Sequence, residues 1–507
     1  MTLLLGLDIS TTGAKALIID FDGTVLASVT TEYPLSVPRP LWSEQSPEQW
    51  WQGIVTSIRA AIAEAQIAPE DIVGIGLTGQ MHGLVMLDER GETLRPAILW
   101  NDQRTGAQCE TIMQLIGESE LIAETGNRAL PAFTAAKILW VREYEPDVYA
   151  KCCQILLPKD YIRYRLTGRY ATDRAGASGT LLLNVKERNW SDQVLKALDI
   201  PGEWLPDTHE GTEITGEVSR QAAAETGLVP GLPVVGGGSD QAVQAVGVGA
   251  VNPTIGALTL GTSGVIFVAT DQYVFDKKGL AHAFCHAVPQ LWHLMTSVQA
   301  AGGSLRWYRD TVAPGTDYPK LLEPAARVSI GCDGLLFLPY LNGERTPYTD
   351  PLARGTFMGL TLRHTLAHMT RAVLEGVAFG LRDNLFLLHE AGAEPVSELR
   401  VSGGGASSPL WTEILANVLQ SELATVNTTE GAAFGAALLA GVGTGIWPDV
   451  QSACQQCIRV TGRIAPDLVL SQRYEAVYSI YRDLYPATRE IAHALSGLAE
   501  QGGDNPA

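Results

Sequence analysis

The sequence contains no Gly-Lys dipeptide, so the G-x-x-x-x-G-K-[ST] loop that cradles a triphosphate in many nucleotide-binding proteins cannot occur in its 507 residues. No stretch approaches the ~18 uninterrupted apolar residues of a membrane span. Basic residues are few, 36 against 55 acidic for a net charge of -19. That balance argues against nucleic acid or an anionic membrane as partner, because both are met by basic patches. It leaves small anions open, since backbone N–H groups bind phosphate without net positive charge. Cysteine is scarce as well. Seven scattered residues, an odd number, suit a reducing cytosol better than a disulfide framework. The opening MTLLLGLD has no basic segment before its short apolar run and no small-residue cleavage site after it, so no signal peptide and a cytoplasmic location are expected.

What is present is a hydrophobic content of 46%, enough for sizeable cores, over a length that suggests two to four domains. Residues 3–33 read as three strands, Leu3–Ile9, Ala14–Asp20 and Thr24–Thr30, the last two joined by an Asp22-Gly23 hairpin signal. Ser46-Pro47-Glu48-Gln49 reads as a capping box with proline at the first helical position. Trp50, Ile54, Ile58 and Ile62 then give a helix over about 47–66. Strands follow at Asp71–Thr78 and Gly83–Asp88, a mostly helical stretch over about 105–230, and a buried strand Pro233–Gly237 running into a glycine turn and a helix from Gln241 to about Val248. From Leu258 the pattern starts again. A hairpin turns at Gly261–Gly264, and a strand pair lies at Ala281–Ala287 and Leu291–Thr296. A long helix spans His368–His389, and a strand Glu398–Ser402 enters Gly403-Gly404-Gly405, followed by helices Pro409–Leu419 and Ala432–Ala440. The period is far too long for a solenoid. It predicts two similar lobes facing each other across a cleft, with a boundary near Ala250 and a polar tail over 491–507, disordered from Gln501.

Several residues in this pattern carry chemistry. Turns of Gly, Ser and Thr offer converging N–H and hydroxyl donors to phosphate, and Asp8–Gly13 and Gly261–Gly264 both fit; one such turn reads as an ordinary hairpin, two in corresponding places do not. Gly74–Gly79 matches G-x-G-x-x-G, but a second strand follows where a dinucleotide site needs a helix, so a nicotinamide or flavin site is rejected. Gly236–Asp240 sets a carboxylate on a glycine turn at a helix start, either a cap or a general base with open space before it. His282, Cys285, His286 and His293 suggest a metal cluster, but alternation along 281–287 puts Cys285 on the face opposite His282 and His286. Cys454 and Cys457 form a lone C-x-x-C in a helical pattern with no partner pair.

In their order, the segments Asp8–Lys15, Gly79–Gly83, Gly236–Asp240, Gly261–Gly264 and Gly403–Ala406 resemble the FGGY carbohydrate kinases, as does Gly355–Leu360 continuing through His368 to Glu375. Pro40–Gln45, Pro96–Asp102, Leu157–Tyr161 and Phe337–Pro347 resemble the xylulokinase branch of that family, and the likeness runs over roughly 3–490. The resemblance implies an α/β, two-lobed actin-like ATPase fold of duplicated ribonuclease-H-like domains, with an N-terminal lobe over 1–249 and a C-terminal lobe over 250–490. It implies ATP and Mg²⁺ as cofactors, with Asp240 as catalytic base and Asp8 as catalytic residue and metal ligand. Gln80, Met81, His82, Trp100, Asp102 and Gln241 are its substrate positions. Thr11, Thr12, Lys15, Gly261, Thr262, Ser263, Gly404 and Gly405 are its nucleotide positions. The implied reaction is phosphorylation of D-xylulose at the 5-hydroxyl; kinases of ribulose, erythrulose or glycerol, or a non-catalytic ATP-binding module, are the alternatives. Small-molecule partners are implied, with no nucleic acid and no membrane, and a homodimer is allowed. Two positions depart from the family's usual pattern: Ser10 stands where glycine is usual, and Gln241 follows Asp240 where asparagine is common.

Overall fold

The structure, a computed structural model, describes residues 1–502. In chain order, the sheets and the helices on them are β1 Leu3–Ile9, β2 Gly13–Asp20, β3 Val25–Glu32, α1 Pro47–Ala65, β4 Ile72–Gly79, α2 Pro158–Thr167, β5 Ile214–Glu217, β6 Pro233–Val235 and α3 Asp240–Val248. They continue with β7 Ile255–Leu260, β8 Gly264–Thr270, β9 Trp292–Val298, α4 Leu366–Glu390, β10 Glu398–Ser402, α5 Pro409–Leu419, β11 Glu422–Val426, α6 Gly431–Gly443, β12 Val460–Ile464 and α7 Leu468–Gly502. The helix α7 takes in 491–502 of the predicted polar tail; the remainder, 503–507, lies outside the described residues.

The chain forms two compact units. One comprises Met1–Asn252 with Ala269–His293 and Glu430–Arg459; the other comprises Pro253–Val268, Leu294–Thr429 and the chain from Val460. The sheet of the first unit has the order β5-β6-β4-β1-β2-β3. Strands β1, β2 and β3 are antiparallel neighbours, while β4 runs parallel to β1 and β6 parallel to β4. The sheet of the second unit contains β9-β8-β7-β10-β11-β12, with β7 antiparallel to β8 and parallel to β10, and β11 parallel to β10. The order β3-β2-β1-β4-β6 is thus repeated as β9-β8-β7-β10-β11. This is the duplicated ribonuclease-H-like arrangement, and it accounts for the recurrence of the same hairpin half a chain apart.

Alternation decides what covers each face of the first sheet. Leu3, Leu5, Leu7 and Ile9 pack with Trp50, Trp51, Ile54 and Ile58 of α1 in one core. The opposite face carries Leu4, Gly6 and Asp8, and there α6 lies on β1 and β4. Its approach is close enough that a Cβ on Gly6 would meet the Ala433 carbonyl oxygen at 1.9 Å, and one on Gly76 that of Ala436 at 1.8 Å. The G-x-G of β4 therefore serves helix–sheet packing. Beyond β4 the chain turns at His82, in left-handed backbone (φ 66°), and enters the short strand Val85–Leu87.

Two local expectations change. Helix α1 starts at Pro47 as the sequence predicts, but the Ser46 side chain makes no cap bond; its carbonyl takes the Gln49 N–H (3.0 Å), while Glu48 binds Gln52 (2.7 Å) and Arg165. The long helix α4 begins two residues before His368, because Thr365 and His368 close a capping box across its first turn.

Candidate active site

In the first unit, three chain segments end side by side. The register pairs Asp8 with Thr78 and Ile9 with Gly79 across β1 and β4, and pairs Gly238 with Thr78 and Ser239 with Gly79 on the other side of β4. Asp8, the Gln80–His82 turn and Asp240 thereby leave the carboxyl ends of parallel strands at one level, where open α/β sheets place their ligands. The turn before Asp240 needs its glycines. Gly237 has φ 68°, and a Cβ there would meet the Leu77 carbonyl oxygen at 1.8 Å. From α2, the buried Arg163 guanidinium donates to the carbonyls of Val235 (2.7 Å) and Gly236 (2.6 Å), fixing the same turn from outside.

The electrostatics of this edge are those of two carboxylates deprived of water. Burial pushes the Asp8 carboxyl up to about 6, the Lys15 charge opposing it. Burial first, then the Asp8 charge, push Asp240 up to about 7; the Gln241 backbone N–H (2.8 Å to Oδ1) and side chain pull it down. Asp8 Oδ1 is buried with no hydrogen-bond partner among the described residues, so it has an acceptor site to offer a cation. Lys15 itself is bound to Glu430 (2.6 Å), which also accepts from Ser28 (3.0 Å).

The turn beside these acids is held by a polar chain. The Trp100 indole N–H donates to Thr11 Oγ1 (2.9 Å), and Thr11 donates to Gln80 Oε1 (3.2 Å). Gln80 Nε2 donates to Gln45 Oε1 (3.3 Å), which also accepts from the Trp50 indole (3.0 Å). His82 donates from Nδ1 to the Gly179 carbonyl (2.6 Å), which fixes the orientation of the ring. The carbonyl of His82 takes the Lys137 ammonium (2.9 Å) and the Thr134 hydroxyl (3.0 Å). Met81 is buried under the turn.

The structure redistributes some of the residues that the resemblance picks out. Thr11, implied at the nucleotide, has its hydroxyl committed to Gln80 and Trp100. Lys15 is taken up by Glu430. Asp102, implied at the substrate, is fully buried. Its oxygens receive the Arg104 guanidinium (2.6–3.0 Å), the Arg104 N–H (2.9 Å) and the Ser43 N–H (2.6 Å), so it is a structural ion pair and has no acceptor to spare for a sugar. Its neighbour Asn101 keeps a buried Oδ1 without a partner among the described residues and is the better candidate. Asn101, Gln45 and Lys137 are not singled out by the sequence. The available signals were the position of Asn101 between two named residues and, for Lys137, a lone lysine within the wholly buried run Thr134–Val141. The cysteine and histidine motifs have structural places: Cys285 packs with Ala177, Leu183 and Val185, His282 bonds Asn127 (2.7 Å), and Cys454 and Cys457 face the Val246 and Phe21 carbonyls.

The second unit contains a pocket of about 690 Å³. Gly261 and Thr262 of the second hairpin and Gly404 and Gly405 line one part; Leu305, Tyr318, Leu322 and Leu410 line an apolar part. Ser263, next in the turn, is not in the lining. A Cβ on Gly404 would meet nothing within 4 Å, so the glycine leaves the backbone open to whatever occupies the pocket. A pocket with an apolar part beside glycine turns suits a nucleoside with attached phosphates.

The sequence profile of the N-terminal domain of the FGGY family of carbohydrate kinases matches residues 3–247, and that of the C-terminal domain matches 256–444. The chain belongs to this family. The kinase is 40% identical to the xylulose kinase of Escherichia coli (strain K12), over 86% of this chain and 89% of that one. It is 36% identical to the xylulose kinase of Lactococcus lactis subsp. lactis (strain IL1403), over 99% of this chain and 100% of that one. The crystal structure of the xylulose kinase from Rhodospirillum rubrum superposes with a TM-score of 0.91 at 31% identity, covering 97% of this chain and 100% of that one. As a sugar kinase it takes a carbohydrate and ATP as substrates. Among the described residues no helix is long and apolar enough to cross a membrane.

Proposed function

We propose that the kinase transfers the γ-phosphoryl group of ATP to the 5-hydroxyl of D-xylulose, giving D-xylulose 5-phosphate and ADP. The observation that carries this reading is the Asp240 carboxylate at the start of α3, raised to about 7, level with Asp8 and beside the Gln80–His82 turn. The named relatives, similar over nearly the whole chain, support xylulose as the sugar.

Phosphoryl transfer demands in-line positioning and charge neutralisation more than covalent help. Asp240 accepts the hydroxyl proton, which becomes acidic as the new O–P bond forms, and a base poised near neutrality suits that step. The pocket at Thr262, Gly404 and Gly405 takes the nucleoside, and backbone N–H groups of the glycine turns take up phosphate charge. Asp8, with its unpartnered buried oxygen, is the residue to hold Mg²⁺, which when bound neutralises phosphate charge. His82, Gln80 and Asn101 supply acceptors and donors to sugar hydroxyls. Seven free cysteines fit a reducing compartment, and we place the enzyme in the cytoplasm.

The test is ADP release across a panel of C4–C6 ketoses and polyols, xylulose, ribulose, erythrulose and glycerol among them. Xylulose is expected to give the highest kcat/KM, with little ADP released when no sugar is present. A faster acceptor would replace the sugar; release independent of any acceptor would replace the kinase reading by that of an ATP-binding module. Within the same assay, His82→Ala and Asn101→Ala are each expected to raise the sugar KM about tenfold or more while the ATP KM moves little, because each strips a hydrogen bond from a site built around polar groups. Equal effects on both substrates would remove these residues from the sugar site.

A further inference from the structure

The two hairpins stand at corresponding places in the two sheets, each running from the central strand into its antiparallel neighbour: Ile9, which pairs with Ala14, is followed by Ser10, and Leu260, which pairs with Gly264 one residue sooner, is followed by Gly261. Ser10 thus occupies the place that Gly261 holds in the second turn. Its side chain closes the first turn on itself. Ser10 Oγ accepts the N–H of Thr12 (3.3 Å) and of Gly13 (3.2 Å) and donates to the Gly13 carbonyl (2.9 Å). The second turn has no such hydroxyl. Both turns also close through the backbone, from Ser10 N–H to the Gly13 carbonyl (3.0 Å) and from Gly261 N–H to the Ser263 carbonyl (3.0 Å), and the Gly261 and Thr262 carbonyls accept the N–H groups of Gly302 (2.9 Å) and Gly303 (3.0 Å).

We propose that Ser10 is a positioning residue that weakens the grip of the first hairpin on the triphosphate, by occupying with its own hydroxyl two backbone N–H groups that a glycine at this position would leave to phosphate. This rests on the kinase reading, in which the turn faces the phosphates. A phosphate oxygen must displace the hydroxyl from those amides before it can use them. Both N–H contacts are long for a hydrogen bond, so the displacement is possible, but part of the binding free energy is spent on it. Removing the hydroxyl then tightens nucleotide binding through the phosphates alone, leaving the nucleoside contacts of the Thr262 pocket as they were.

Calorimetric titration with ATP and with adenosine, alongside steady-state kinetics, tests this on the full chain. Ser10→Gly is expected to bind ATP about tenfold more tightly, as two freed amide donors allow, with adenosine affinity and the sugar KM unchanged. Ser10→Thr keeps the hydroxyl and is expected to keep native ATP affinity. Gly261→Ser, whose Cβ has no neighbour closer than 3.8 Å, is expected to weaken ATP binding by placing a hydroxyl at the corresponding entry of the second turn. If Gly261→Ser weakens ATP while Ser10→Gly leaves it unchanged or weaker, the inference fails and phosphate binding at the glycine turns stands. If neither variant alters ATP affinity, phosphate binding by these turns fails as well.

Discussion

Asp240→Ala is expected to leave ATP binding intact and to lower kcat by about 10³-fold, the middle of the range that a positioned general base contributes. Activity within about tenfold of the native enzyme would overturn the assignment. Two features of the structure set the expectation. The carboxylate stands at the first residue of α3 behind a turn that Gly237 and Arg163 hold in place, so it is fixed in position. Its affinity for a proton, raised to about 7 by burial and by the Asp8 charge, also makes it a far better base than an exposed aspartate. The pH dependence follows. Only the ionised form accepts a proton, so kcat/KM for the sugar should rise with pH through the region set by Asp8, about 6, and Asp240, about 7, and level off above it.

Stability runs the other way. A carboxyl whose folded value lies above its ordinary 3.8 keeps its proton in the native state over a window in which the unfolded chain has lost it. Its contribution to stability is therefore greatest at low pH and is lost as pH rises toward about 7. Asp240→Asn should melt above the native protein at about pH 8, and the difference should close toward about pH 4, below which both states are protonated. A melting temperature that stayed equal at about pH 8 would mean that Asp240 is not strained by its surroundings, and would remove the basis for its high proton affinity.

The elements that carry this chemistry were legible because short-range patterns specify them. Short apolar runs on either side of a polar turn mark β1 and β2, Asp22-Gly23 their turn to β3, and the glycine run before Asp240 the start of α3. What could not be read was which polar groups meet across the chain. Asp102 carries the same local signature as a substrate residue, and only the fold shows that Arg104 and the Ser43 amide consume its oxygens. Lys15 meets Glu430, more than four hundred residues away, and no spacing rule reaches that far. Ser10 was legible in part: the family pattern marks it as unusual, but only the fold shows its hydroxyl on the amides of Thr12 and Gly13. The apolar run 432–440 read as a helix, yet nothing local assigned it to the first sheet, since its own small residues and the glycines of β1 and β4 signal close packing only once they are paired.

That pairing yields the other large expected effect. Gly76→Ala should destabilise the first unit by at least about 3 kcal/mol, because the added methyl overlaps a backbone that cannot rotate away. Its Cβ would lie 1.8 Å from the Ala436 carbonyl oxygen and 2.5 Å from the carbonyl carbon, so α6 must lift from the sheet. Lifting α6 disturbs more than the contact itself. Its Gly435 lies under the Val243 carbonyl of α3, with 2.0 Å available to a Cβ, and Glu430 at its start holds Lys15. Both the helix that begins with Asp240 and the ion pair beside Asp8 lean on this element, so activity should fall with stability. Gly74→Ala, on the same strand and the same face, is the matched control. Its Cβ would meet the Thr444 side-chain methyl at 2.7 Å, and that group can turn aside. The expected order in a thermal melt is native, then Gly74→Ala slightly below it, then Gly76→Ala lower by about 10 °C or insoluble. If the two variants melted together, the spacing between α6 and the sheet would not be set by these backbone contacts, and the glycines of β4 would need another explanation.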